Sequence, residues 1–88
     1  MAHHKDAIKR QRQNEERRLR NRGYRTRMRN QIKKVRDAVV AGDHAVATTE
    51  LASAVKIIDR VAGKGIIHKK NAARRVSRLT KAVNGLRA

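Results

Sequence analysis

Residues 28–61 read MRNQIKKVRDAVVAGDHAVATTELASAVKIIDRV, and the spacing of their apolar side chains decides the fold. Met28, Ile32, Val35 and Val39 recur at intervals of four, three and four. Ala47, Leu51, Ala54, Ile58 and Val61 recur at four, three, four and three. An α-helix repeats about every 3.6 residues, so each set forms one apolar stripe on one helix face. Gly42-Asp43 lies between the stripes. Gly suits the C′ position that ends one helix, and Asp suits the N-cap that begins the next. A connection this short makes the two helices antiparallel neighbours.

Downstream, Ala72, Val76, Leu79, Val83 and Leu86 form a third stripe at the same spacing. Gly63 and Gly65 supply the turn before it. No Ser, Thr or Asp marks the start of this helix, so the start is placed only between Ile66 and Asn71. Apolar residues never alternate with period two, so no strand is expected. The expected fold is all-α: a three-helix bundle with heptad-like seams.

Upstream, the pattern changes. From Lys9 to Arg27 the only apolar side chains are Leu19 and Tyr24, yet the segment holds good helix formers and no Pro. Glu16 and Arg20 have the spacing of an i,i+4 pair. A first helix over about residues 6 to 41 spans roughly 54 Å, against about 30 Å for partners of roughly 20 residues. Its N-terminal half should therefore overhang the bundle. With no stripe to bury, that half is expected to fray in the free protein and to become helical on a polyanion. The expected division is a basic extension over residues 1–27 and a bundle over 28–88.

Charge dominates the composition. The 88 residues carry 24 Lys and Arg against 7 Asp and Glu, a formal net charge of +17. Residues 1–36 hold 14 basic and 3 acidic residues, residues 37–62 hold 2 and 4, and residues 63–88 hold 8 and none. Two basic arms thus flank a nearly neutral middle. Self-repulsion on this scale opposes compaction and suits a chain built to meet a polyanion, of which nucleic acid is the commonest. The absence of Cys excludes disulfides and thiolate metal sites. No apolar run approaches the roughly 20 residues of a membrane span. The start lacks the apolar core of a secretory signal, and Asp6, Glu15 and Glu16 argue against an Arg-rich transit peptide.

Catalytic patterns are missing. The seven carboxylates are scattered, and no phosphate-binding Gly loop, nucleophile elbow or carboxylate pair occurs. His3-His4 has no further ligand at metal spacing beyond Asp6, and reads as a polar terminus. His44 follows Asp43 at a helix start and is expected to face solvent. His68 stands among Lys64, Lys69 and Lys70, where phosphate or base contact suits it better than general-base work.

The basic clusters carry the functional reading. Arg17, Arg18, Arg20, Arg22, Arg25, Arg27, Arg29, Lys33, Lys34 and Arg36 project around most of the first helix. A helix that is basic all round can touch RNA on several sides, and the Arg fork suits bidentate phosphate contact. Lys5, Lys9, Arg10 and Arg12 extend the cluster toward the N-terminus. On the third helix Lys70, Arg74, Arg78 and Lys81 fall opposite the apolar stripe, with Arg75 beside them. Asn14, Asn21, Asn30 and Asn71 offer sugar or base-edge contacts. Tyr24 is the one aromatic residue, whereas single-strand readers stack bases on several. Recognition of folded RNA by backbone and shape is therefore expected. No cofactor and no small-molecule substrate is implied.

Three stretches resemble a known family, the bacterial small-subunit ribosomal proteins of the S-twenty family. The first is Lys64-Gly65-Ile66-Ile67-His68-Lys69 with Ala72-Ala73-Arg74-Arg75 and Ser77-Arg78-Leu79. The second is Arg17-Arg18, Asn21, Arg25, Arg29 and Ile32-Lys33-Lys34-Val35. The third is the Ala41-Gly42-Asp43 turn, and Met1-Ala2 with Lys5 and Ala7-Ile8-Lys9-Arg10 is similar too. The chain departs from the family pattern at His3, His4 and Asp6, and in the order Lys70-Asn71. The resemblance covers nearly the whole chain. It implies a three-helix bundle with a long first helix, on the ribosome in the cytoplasm. It also implies direct binding to 16S ribosomal RNA early in small-subunit assembly, in the 5′ domain and near the long penultimate stem.

Two other classes share part of this pattern. A histone-like DNA-binding protein would share the charge, but the overhanging helix favours RNA. A membrane-surface amphipathic helix would need an apolar face on its most basic segment, and that segment has none.

Overall fold

The computed structural model describes residues 2–86, with side chains from Lys5 onward. Three α-helices follow one another: α1, Ala2–Val40; α2, His44–Gly63; α3, Lys69–Asn84. The described residues contain no strand. The 39 residues of α1 span about 58 Å, and the 16 residues of α3 about 24 Å. The molecule measures 67 × 21 × 14 Å, with a radius of gyration of 17.7 Å. A compact domain of this length would have a radius near 12 Å. The excess is the overhang of α1.

Both turns follow from their glycines. At the end of α1 the Gly42 N–H donates to the Val39 carbonyl (3.0 Å) and the Asp43 N–H to the Ala38 carbonyl (3.0 Å). This is a Schellman arrangement, and it needs the left-handed backbone that Gly42 adopts at φ +73°. Asp43 then caps α2, its Oδ1 accepting from the Val46 N–H at 3.1 Å. The end of α2 repeats the motif. The Gly65 N–H donates to Ala62 (2.9 Å) and the Ile66 N–H to Val61 (3.1 Å), with Gly65 at φ +76°.

The start of α3, which the sequence left open, is set by His68. Its Nδ1 accepts from the Lys70 N–H at 3.1 Å, as a Ser or Asp side chain would at an N-cap. Helix α3 is also shorter than the expected 20 residues. Gly85 ends it, and Leu86 packs from just beyond the helix rather than from within it.

The core lies where the three stripes meet. Met28, Ile32, Val35 and Ala38 come from α1, Ala47, Ala54, Ile58 and Val61 from α2, and Ala72, Leu79 and Val83 from α3. Val39, Leu51, Val76 and Leu86 are half-buried against this cluster, at the margin of the seam. Two core positions were not in the stripes. Ala38 is more buried than its neighbour Val39, and Gln31 is buried although polar. Packing against the core begins at Tyr24.

N-terminal to Asn21 every described side chain of α1 is exposed. The helix is nevertheless continuous from Ala2, where fraying was expected for the free chain. Residue preference alone accounts for the geometry: the segment has strong helix formers, no Pro and a single Gly. It has no tertiary packing to make that geometry stable.

Candidate nucleic-acid interface

The overhang presents Lys5, Lys9, Arg10, Arg12, Asn14, Arg17, Arg18 and Arg20 as exposed side chains. A helix without a bundle partner leaves its whole circumference open, so these charges project in all directions. Arg22, Arg25, Arg27, Arg29, Lys33 and Lys34 continue the exposed series beside the bundle, and Asn21 is half-buried.

Where α1 meets the α2–α3 turn, two of the basic residues also hold the fold. The Lys64 ammonium lies over the Tyr24 ring, 4.9 Å from its centroid, a cation–π distance. The Arg25 guanidinium reaches the Ile66 carbonyl at 3.4 Å. His68, expected as a contact residue, is exposed while its Nδ1 serves as the cap of α3. Lys69, Lys70, Asn71, Arg74 and Arg78 are exposed on α3, and Arg75 is half-buried. Lys64 and His68 thus sit on the turn above α1 and Lys69 begins α3, whereas residues 5–20 are all exposed.

The basic side of α3 is not simply opposite its apolar stripe. Asn71, Arg74, Arg75 and Arg78 bend it toward α1, where they meet Ile32, Arg36 and Leu79 around a cleft of about 200 Å³. A second cleft of about 240 Å³ continues it along Arg29, Ile32, Lys33, Arg36 and Arg75. Sequence spacing places each residue on its own helix but does not reveal which helices face one another across this cleft.

Among the described residues no three His, Cys, Asp or Glu side chains gather at metal-binding distance. His3 and His4 lie outside the described side chains. Among the described residues no helix is long and apolar enough to cross a membrane.

Comparison with known proteins gives the relationship. Residues 2–84 match the family described as Ribosomal protein S20. The chain belongs to this family. Among similar relatives, the small ribosomal subunit protein bS20 of Solidesulfovibrio magneticus is 57% identical over 84 residues, covering 96% of this chain and 94% of that one. The bS20 protein of Trichlorobacter lovleyi is 54% identical over 86 residues, covering 98% and 99%. That of Syntrophobacter fumaroxidans is 50% identical over 86 residues, covering 98% and 100%. The match to the ribosomal protein S20 family spans all three helices, the overhang included. It places the chain among structural ribosomal proteins rather than enzymes.

Proposed function

We propose that this chain is a structural constituent of the small (30S) ribosomal subunit in the cytoplasm. It binds 16S ribosomal RNA through phosphate contacts and shape, and supports the folding and assembly of that RNA. Residues 1–27 act as the RNA-binding extension, and residues 28–88 as the bundle that anchors it. By resemblance to the family, the contacts fall in the 5′ domain and near the long penultimate stem. The observation that carries this reading is the α1 overhang, a solvent-exposed helix whose cations surround its whole circumference. Such a helix has no protein surface to cover and suits a polyanion that folds around it. The relatives' names, small ribosomal subunit protein, support the choice of polyanion.

The test pairs two measurements. The tagged protein is expected to co-purify with small-subunit particles through a moderate salt wash. In vitro it is expected to prefer structured ribosomal RNA to duplex DNA at equal salt. Six to ten phosphate contacts would cost roughly 10³- to 10⁵-fold in affinity between about 50 and 200 mM salt, on the duplex-DNA scale. Equal affinity for duplex DNA, with no particle association, would favour a histone-like role instead.

A further inference from the structure

We propose that the cleft between α1 and α3 is a single-phosphate site, and that in the RNA complex it holds one backbone phosphodiester. The proposal rests on the RNA-binding reading and gives it a specific seat. Arg36 of α1 faces Arg74, Arg75 and Arg78 of α3 around this cleft, over a floor that includes Ile32 and Leu79. No lining residue is acidic, so the cations there are not neutralised from within the site. Like charges gathered this closely repel and oppose the docking of α3 on α1. An anion between them reverses the sign of that interaction.

Chemistry narrows the ligand: four Arg line the cleft and no acidic residue does, so it suits an anion such as a phosphate group. Arg75 is partly preorganised: its Nε donates to the Asn71 Oδ1 at 2.7 Å and it is half-buried, which fixes one edge of the guanidinium. The guanidinium fork matches phosphate oxygens in pairs, so Arg here is not equivalent to Lys. Arg36, a member of the basic cluster on the first helix, gains a specific partner set in this site. Because the ligand touches both helices, it binds the docked bundle better than the unfolded chain. Occupancy therefore stabilises the fold by mass action.

The test uses the full chain and two probes. Thermal melts are recorded in inorganic phosphate and in chloride at matched ionic strength, for wild type, Arg36→Gln, Arg75→Gln and Lys56→Gln. Lys56 is exposed on α2, outside both clefts, and its replacement removes the same charge. Phosphate is expected to raise the melting temperature of wild type and Lys56→Gln by several degrees over chloride, and that of both Arg variants much less. Equal increments in all four proteins would overturn the site and mark the effect as general salting. Structured RNA then separates the two sources of phosphate. Arg36→Gln is expected to weaken RNA binding several-fold and lower the salt slope by about one, while Lys56→Gln does neither. If the phosphate increment needs Arg36 but RNA affinity does not, the ligand is free phosphate and the backbone assignment is wrong. If wild type fails to bind structured RNA at all, the proposed function falls, while the melts still report on the cleft.

Discussion

Gln31 of α1 is tied to Glu50 of α2: its Nε2 donates both to the Glu50 backbone carbonyl at 3.0 Å and to the Glu50 carboxylate. Gln31 is the one buried polar residue among those described, and none of the described buried side-chain polar atoms lacks a partner. A buried amide without these acceptors would be costly, so the tie favours one pairing of α1 with α2. Gln31→Ala is expected to destabilise the bundle by about 1–3 kcal/mol. In a domain of this size each kcal/mol lowers Tm by roughly 4–8 °C. An unchanged Tm in a thermal melt would show that the tie contributes nothing to stability.

The α1 overhang is expected to be the least stable helix in the molecule. Isolated helices of its length are marginal without packing, and its charges repel one another. Amides of residues 9–20 should exchange rapidly in the free protein, while those of Met28–Ala38 exchange slowly. Adding cognate RNA should protect the overhang and raise the helical circular-dichroism signal. Strong protection of residues 9–20 without RNA would contradict this account.

The two faces of α3 should separate folding from binding. Leu79 is 3% exposed, and Leu79→Ala is expected to cost about 2–5 kcal/mol. For a bundle with so few large side chains, that loss would unfold much of the population. Arg74 and Arg78 are exposed, so replacing each by Ala should cost no more than about 0.5 kcal/mol of stability. The same pair should weaken RNA binding and flatten its salt dependence. One melt and one RNA titration per variant decide the matter. A double Arg variant that melts early yet binds RNA normally would mean the faces are misassigned.

Gly42 and Gly23 should respond to Ala in opposite directions. Gly42 holds φ +73°, a conformation that costs an L-residue about 1–2 kcal/mol, so Gly42→Ala should lower Tm. Gly23 sits inside α1, and nothing lies within 4 Å of the place an alanine methyl group would take, so the fold does not require glycine there. Gly23→Ala should therefore add roughly 0.5–1 kcal/mol of helix preference and raise helicity at the root of the overhang. Circular dichroism of the two variants checks both signs.

The parts of this molecule legible in its amino-acid order are those that depend on near neighbours. Apolar residues three and four apart specify three helices, because helical geometry alone brings them to one face. Gly42-Asp43 specifies a turn because a positive φ and a side-chain cap are properties of one or two residues. The overhang follows from an apolar stripe that begins only at Met28. What tertiary structure decided is what depends on which helix faces which. Gln31 lies outside every apolar stripe, and only the docking of α2 brings Glu50 against it. His68 reads as a phosphate contact, and the backbone at the start of α3 gives its Nδ1 a second task, capping the Lys70 amide. Arg36 and Arg75 are 39 positions apart, and only the docking of α3 on α1 sets them around one cleft. The Gln31–Glu50 and Arg36–Arg75 cases join groups through space across a chain reversal, and helical spacing carries no information about the partner on the other side.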